Sequence, residues 1–144
     1  MLRVTLAVAV LVLAATLAAA QSNPIAARKA LMKANGQQAK IGAAIAKGEA
    51  PFDAAKVQTI FATFIDAADK APALFPENSK KGGKTEALPA IWKNKADFEA
   101  RLAKFGEDVK AAQGSVKDLA SFKAVWSGLI RKNCTGCHEK YVQK

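Results

Sequence analysis

The chain is poor in the residues that most often carry chemistry. Its 144 residues include two cysteines, one histidine, one tyrosine and two methionines. Two cysteines cannot build the multi-bridge framework of a small disulfide-rich domain. Two cysteines and one histidine fall one ligand short of a four-coordinate structural zinc site. A lone histidine leaves no second imidazole for acid–base work. No stretch alternates with the two-residue period of a strand, which argues against a sheet. Basic residues are plentiful, 22 Lys and Arg against 12 Asp and Glu for a net charge of +10, yet they are scattered and form no block. That distribution argues against nucleic-acid binding and fits a solvated surface with a weak attraction for acidic partner proteins.

Long apolar runs are missing as well, except at the start. Val4 to Ala20 is uncharged, follows Arg3 and closes on Ala18-Ala19-Ala20. This is the pattern of a secretory leader cut before Gln21. Residues 1–20 are therefore expected to be removed and residues 21–144 to form one exported domain, with no membrane attachment after cleavage.

What is present is helix-forming sequence, rich in alanine and lysine. The spacing predicts four helices. The first runs over Pro24–Lys47, with Ser22 or Asn23 as cap, Pro24 in the first turn and Gly48 at the end. The second covers about Phe52–Lys70, with Val57, Ile60, Phe61, Phe64 and Ala68 as its buried stripe. Pro72, Pro76, Pro89 and the Gly82–Gly83 pair then make residues 71–90 a long crossing loop. The third helix spans about Asn94–Gln113, with Phe98, Leu102, Phe105 and Val109 on one side; Gly114 closes it and Ser115 caps the next. The fourth runs over about Val116–Val142. Four amphipathic helices predict an all-α, four-helix bundle.

Both cysteines and the histidine stand within RKNCTGCHEK, residues 131–140. At about 100° per residue, Cys134, Cys137 and His138 leave the fourth helix within one arc of about 100°. Trp126 and Ile130 continue that arc backwards, as do Leu119 and Val116, while Lys123 and Ser127 interrupt it. A thioredoxin-like redox pair needs a neighbouring βαβ unit, which is not readable here. A disulfide between the cysteines leaves His138 unexplained. Covalent haem attachment accounts for all three residues: two thioether cysteines and an axial imidazole. The competing reading is a buried cysteine pair beside a core histidine.

The first helix offers the opposite wall. Met32 shares one face with Arg28, Ile25, Asn35 and Ala39, and the small residues Gly42, Ala43 and Ala46 extend it. Small residues let a flat ring or another backbone come close. Met32 is the methionine that remains after leader removal, and it is either a sixth iron ligand or an ordinary core side chain. Arg28, one turn earlier, is placed to pair with a haem propionate; otherwise it is a solvated surface arginine.

CTGCH near the C-terminus, Tyr141 three residues after the histidine, RKALMKANG on the first helix and LFPENSKKGGKTEALPAIW in the central loop together resemble the class II c-type cytochromes. The resemblance covers all of residues 21–144. It implies a left-handed antiparallel four-helix bundle around one covalently attached haem c. Cys134 and Cys137 match the thioether positions, His138 the axial ligand, Arg28 the propionate contact and Met32 the variable distal position. Members with a distal methionine ligand are low-spin electron carriers; members with an open distal site are five-coordinate and bind NO or CO. The chain departs from the family pattern at Val142, where many members have a basic residue. The expectation is a periplasmic one-electron carrier with His138/Met32 ligation that meets periplasmic redox proteins and is not an enzyme. The alternative is a five-coordinate, gas-binding cytochrome. Pairing through the first two helices into a homodimer is a further implication of the family.

Overall fold

The computed structural model describes residues 23–143; the expected leader, residues 1–20, lies outside them. Helix α1 spans Pro24–Lys47, with both ends where the sequence puts them. Asn23 caps it, its Oδ1 accepting from the Ala26 N–H at 3.0 Å, while Ser22, the other candidate cap, lies outside the described residues. Gly48 ends the helix with a left-handed φ of 81°. Helix α2 spans Ala54–Lys70 and starts two residues later than predicted, because Asp53 is its cap and accepts from Lys56 N–H. All five predicted stripe residues of α2 are buried.

The crossing segment contains two 3₁₀ turns, Ala71–Leu74 and Glu77–Ser79, and then a short helix α3, Ala90–Lys93. It packs against the start of α1, where a Cβ on Gly83 would sit 2.8 Å from Ile25 Cγ2. Helix α4 spans Lys95–Ser115. Gly114 and Ser115 therefore belong to α4 and neither closes nor caps a helix as expected. The true cap of the next helix is Asp118, in a reciprocal capping box with Ser121. Once that strong cap sets the start, Ser115 has no role there.

The fourth bundle helix is not uniform. Helix α5 spans Leu119–Val125, a π turn follows over Trp126–Ile130, and α6 spans Arg131–Tyr141. The Arg131 N–H bonds to the Trp126 carbonyl, five residues back. Phe122, Trp126 and Ile130 are buried at steps of four. Steps of four drift around a regular α-helix, and the wider π turn takes up part of that drift before Cys134. Lys123 and Ser127, which the straight-helix projection placed on the inner arc, are exposed. Val116 is buried but precedes the helix in extended conformation.

The apolar interior has two unequal parts. The larger gathers Ile45, Val57, Ile60, Phe61, Phe64, Val109, Phe122, Trp126 and Ile130. The smaller consists of Ile91, Phe98 and Tyr141 near the end of α6. The small-residue face of α1 does admit a flat ring, and that ring is an indole. A Cβ on Gly42 would fall 2.2 Å from Trp126 Cζ3. Among the described residues no helix is long and apolar enough to cross a membrane.

Candidate functional site

Between α1 and α6 the bundle opens into a cleft with two lobes of about 200 and 130 Å³. Met32, Leu102, Cys137 and His138 border both lobes. The first lobe is completed by Arg28, Phe75, Ile91, Phe98 and Tyr141. The second is completed by Ala67, Ala68, Phe105 and Cys134, with Asn35 and Arg101 at its edge. All five residues singled out in the sequence thus meet at one cleft. Helical periodicity is the reason: Arg28 and Met32 are one turn apart on α1, and Cys134, Cys137 and His138 share one side of α6.

The cysteines are free and half-buried. Burial pushes both thiols up from their ordinary range, which favours the neutral S–H. Met32 is 40 % exposed, and His138 is exposed beside it at the cleft. Neither is consumed by core packing, and both line the cleft. Among the described residues Asn35 Oδ1 is buried without a donor, which puts a polar atom in this wall.

Arg28 is only 4 % exposed. Its Nη1 donates to the Leu74 carbonyl (3.1 Å) and Ser79 Oγ (2.9 Å). Its Nη2 donates to the Ser79 carbonyl (2.9 Å) and Thr85 Oγ1 (2.6 Å). The guanidinium also lies 4.7 Å from the centre of the Phe75 ring. Every one of these partners is neutral, and desolvation lowers the arginine's pKa. A buried cation without a carboxylate is costly, and an anionic group at the cleft would offset that cost. The terminal nitrogens are nonetheless committed to the crossing segment, a role that sequence reasoning missed.

A second cluster was also missed. Asp97 Oδ2, on α4, accepts from Arg101 Nε and Lys140 Nζ, each at 2.8 Å, and from the Tyr141 hydroxyl. Arg101 lies at i+4, so that pair was legible in the sequence. Lys140 lies 43 residues away, and nothing local announces it. The crossing segment closes the same region from the other side. Leu88 N–H donates to the Tyr141 carbonyl at 2.9 Å, Gln143 N–H to the Glu86 carbonyl at 2.8 Å, and Ala87 pairs with Val142 in an isolated antiparallel bridge.

The residues present fit a haem. The walls are largely apolar, two thiols, an imidazole and a thioether border the space, and among the described residues the buried guanidinium has no anionic partner. A helical bundle that brings a C-terminal CxxCH turn to such a cleft has the architecture of a class II c-type cytochrome. Residues 23–142 match the family described as Cytochrome C′, and the chain belongs to that family of haem c proteins. It is 46% identical to a cytochrome c′ of Rhodopseudomonas palustris over 99% of this chain and 97% of the relative. A cytochrome c-556 of the same species is 36% identical over 100% of this chain and 99% of its own. The solved structure of cytochrome c′ from Rhodopseudomonas palustris superposes with a TM-score of 0.81 at 48% identity, covering 85% of this chain and 97% of that one. This likeness establishes the four-helix bundle expected from the sequence.

Proposed function

We propose that the protein is a periplasmic one-electron carrier in which Cys134 and Cys137 would hold haem c through thioether bonds and His138 and Met32 would bind its iron. The observation that carries this reading is that Met32 and His138, from α1 and α6, border both lobes of the same cleft. Bound haem supplies the one-electron chemistry of its iron. The chain's own residues then do the rest. Met32 and His138 would offer a thioether sulfur and an imidazole nitrogen to the iron, and a thioether favours ferrous over ferric iron. Phe75, Ile91, Phe98 and Leu102 keep water from the first lobe. Arg28 would face a propionate through Nε, which its bonds to the crossing segment leave over.

The rest of the reading follows from the leader and the surface. Residues 1–20 direct export and residues 21–144 form the working domain. The net charge of +10 suits acidic redox partners. Ile41, exposed on α1, suits a homodimer through the first two helices. With the lone histidine used as a ligand, no imidazole remains for catalysis, so a carrier role is favoured over an enzymatic one.

A second reading has its own support. The higher identity is to the relative named cytochrome c′, and Met32 is exposed and not locked in a core. In that reading the iron is five-coordinate and the protein binds NO or CO. Absorption spectra of the mature holoprotein, ferric and ferrous, with and without CO, separate the two. Sharp ferrous α and β bands unmoved by CO are expected for Met32 ligation. A broad ferrous band that CO shifts would replace the carrier reading with the gas-binding one.

A further inference from the structure

We propose that Asp97 is the positioning residue of the haem-attachment turn, placing two cations and the Tyr141 anchor beside Cys137 and His138. The inference rests on the haem reading above. Three donors converge on one oxygen, Asp97 Oδ2: Arg101 Nε, Lys140 Nζ and the Tyr141 hydroxyl. Tyr141 stands one turn beyond Cys137 on α6 and is 1% exposed. Its ring meets Phe98 edge-on at 5.3 Å between centroids, and its carbonyl accepts from Leu88. The last turn of α6 is thus pinned to α4 by the Asp97 carboxylate and the Phe98 ring.

The same carboxylate decides where charge sits. Among the described residues Arg101 bonds to Asp97 through Nε, and Arg101 itself lines the second lobe, which Cys137 also borders. The residue after Tyr141 is Val142, held in the bridge to Ala87, so no cation directly follows the tyrosine. Arg101 brings one across from α4 instead. With Lys140 the group carries two positive charges and one negative charge. Positive charge near the iron disfavours the ferric form, and Asp97 moderates that effect.

The test is the midpoint potential of haem-loaded wild type, D97N and R101Q, with covalent haem confirmed by denaturing-gel haem stain. D97N leaves both cations uncompensated and is expected to raise the ferrous-to-ferric ratio at a fixed applied potential by roughly threefold. R101Q leaves the carboxylate with one cation and is expected to lower that ratio by a similar factor. A purely structural role would not produce shifts of opposite sign. An unchanged potential in either variant, or shifts in the same direction, overturns the proposal. If D97N does not accumulate with haem, R101Q decides alone, since Arg101 is exposed: a fall supports the proposal and no fall overturns it. Absence of covalent haem from the wild type would instead remove the reading on which it rests.

Discussion

Arg28 closes both terminal nitrogens on one residue 51 positions away: Nη1 reaches Ser79 Oγ and Nη2 the Ser79 carbonyl, each at 2.9 Å. The crossing segment is therefore tied to α1 at a defined point. Arg28→Ala is expected to destabilise the fold by about 2–4 kcal/mol, the range for losing several bonds to a charged donor. Arg28→Lys is expected to recover little of that, since an ammonium cannot reproduce the fork. Urea unfolding gives the energies, and faster proteolytic cleavage in residues 79–85 locates the effect.

Gly42 meets the indole of Trp126, and a Cβ there would lie 2.2 Å from a ring carbon. Gly42→Ala gains helix propensity of about 1 kcal/mol but must displace a ring that also contacts Phe64 and Phe122. The net expectation is destabilisation by about 1–3 kcal/mol, with a shift in tryptophan fluorescence. A variant as stable as wild type would mean that α1 and the π turn separate freely.

Met32 is 40 % exposed, so its truncation removes little packing. Met32→Ala is expected to change stability by less than about 1 kcal/mol while turning the iron from low to high spin and opening it to CO. An unchanged spectrum would reduce Met32 to a surface contact. His138→Ala is expected to keep the thioethers and lose the native axial spectrum; an unaltered haem spectrum would exclude His138 as ligand.

The Asp97 carboxyl is held well below the usual carboxylate range by its bonds from Arg101, Lys140 and Tyr141. A carboxyl depressed in the folded state adds stability that is full above the unfolded pKa of about 3.9 and is lost as pH falls from there toward the folded value. The network is therefore expected to hold unchanged from neutral pH down to about pH 5. D97N should unfold more readily than wild type in that range, and the difference should shrink below about pH 4. Chemical unfolding midpoints of both proteins across pH check the sign.

Much of the molecule was legible because its signals are local. The α1 boundaries follow from Asn23, Pro24 and Gly48, and the buried stripe of α2 follows from three-four spacing; on the expected side of α4, Phe98 and Val109 are buried while Leu102 and Phe105 are half-buried. The candidate haem residues could be read because CxxCH is contiguous and because Arg28 and Met32 lie one turn apart on a single helix. The errors occurred where a local choice had a stronger neighbour. Asp118 displaced Ser115 as cap, and the π turn at Trp126–Ile130 changed the phase that a straight helix would keep.

The number of main helices, the buried face of α2 and the candidate residues of the site were readable along the chain, because helical period and contiguous motifs need no distant partner. What those residues touch came only with the docking of the helices. That docking set the Arg28 guanidinium on the carbonyl and hydroxyl of Ser79 and the Trp126 ring on Gly42, and it gathered Arg101, Lys140 and Tyr141 on Asp97. Each of these links elements far apart in the chain. Their energy is realised only once the helices have docked, so no local pattern of residues encodes them.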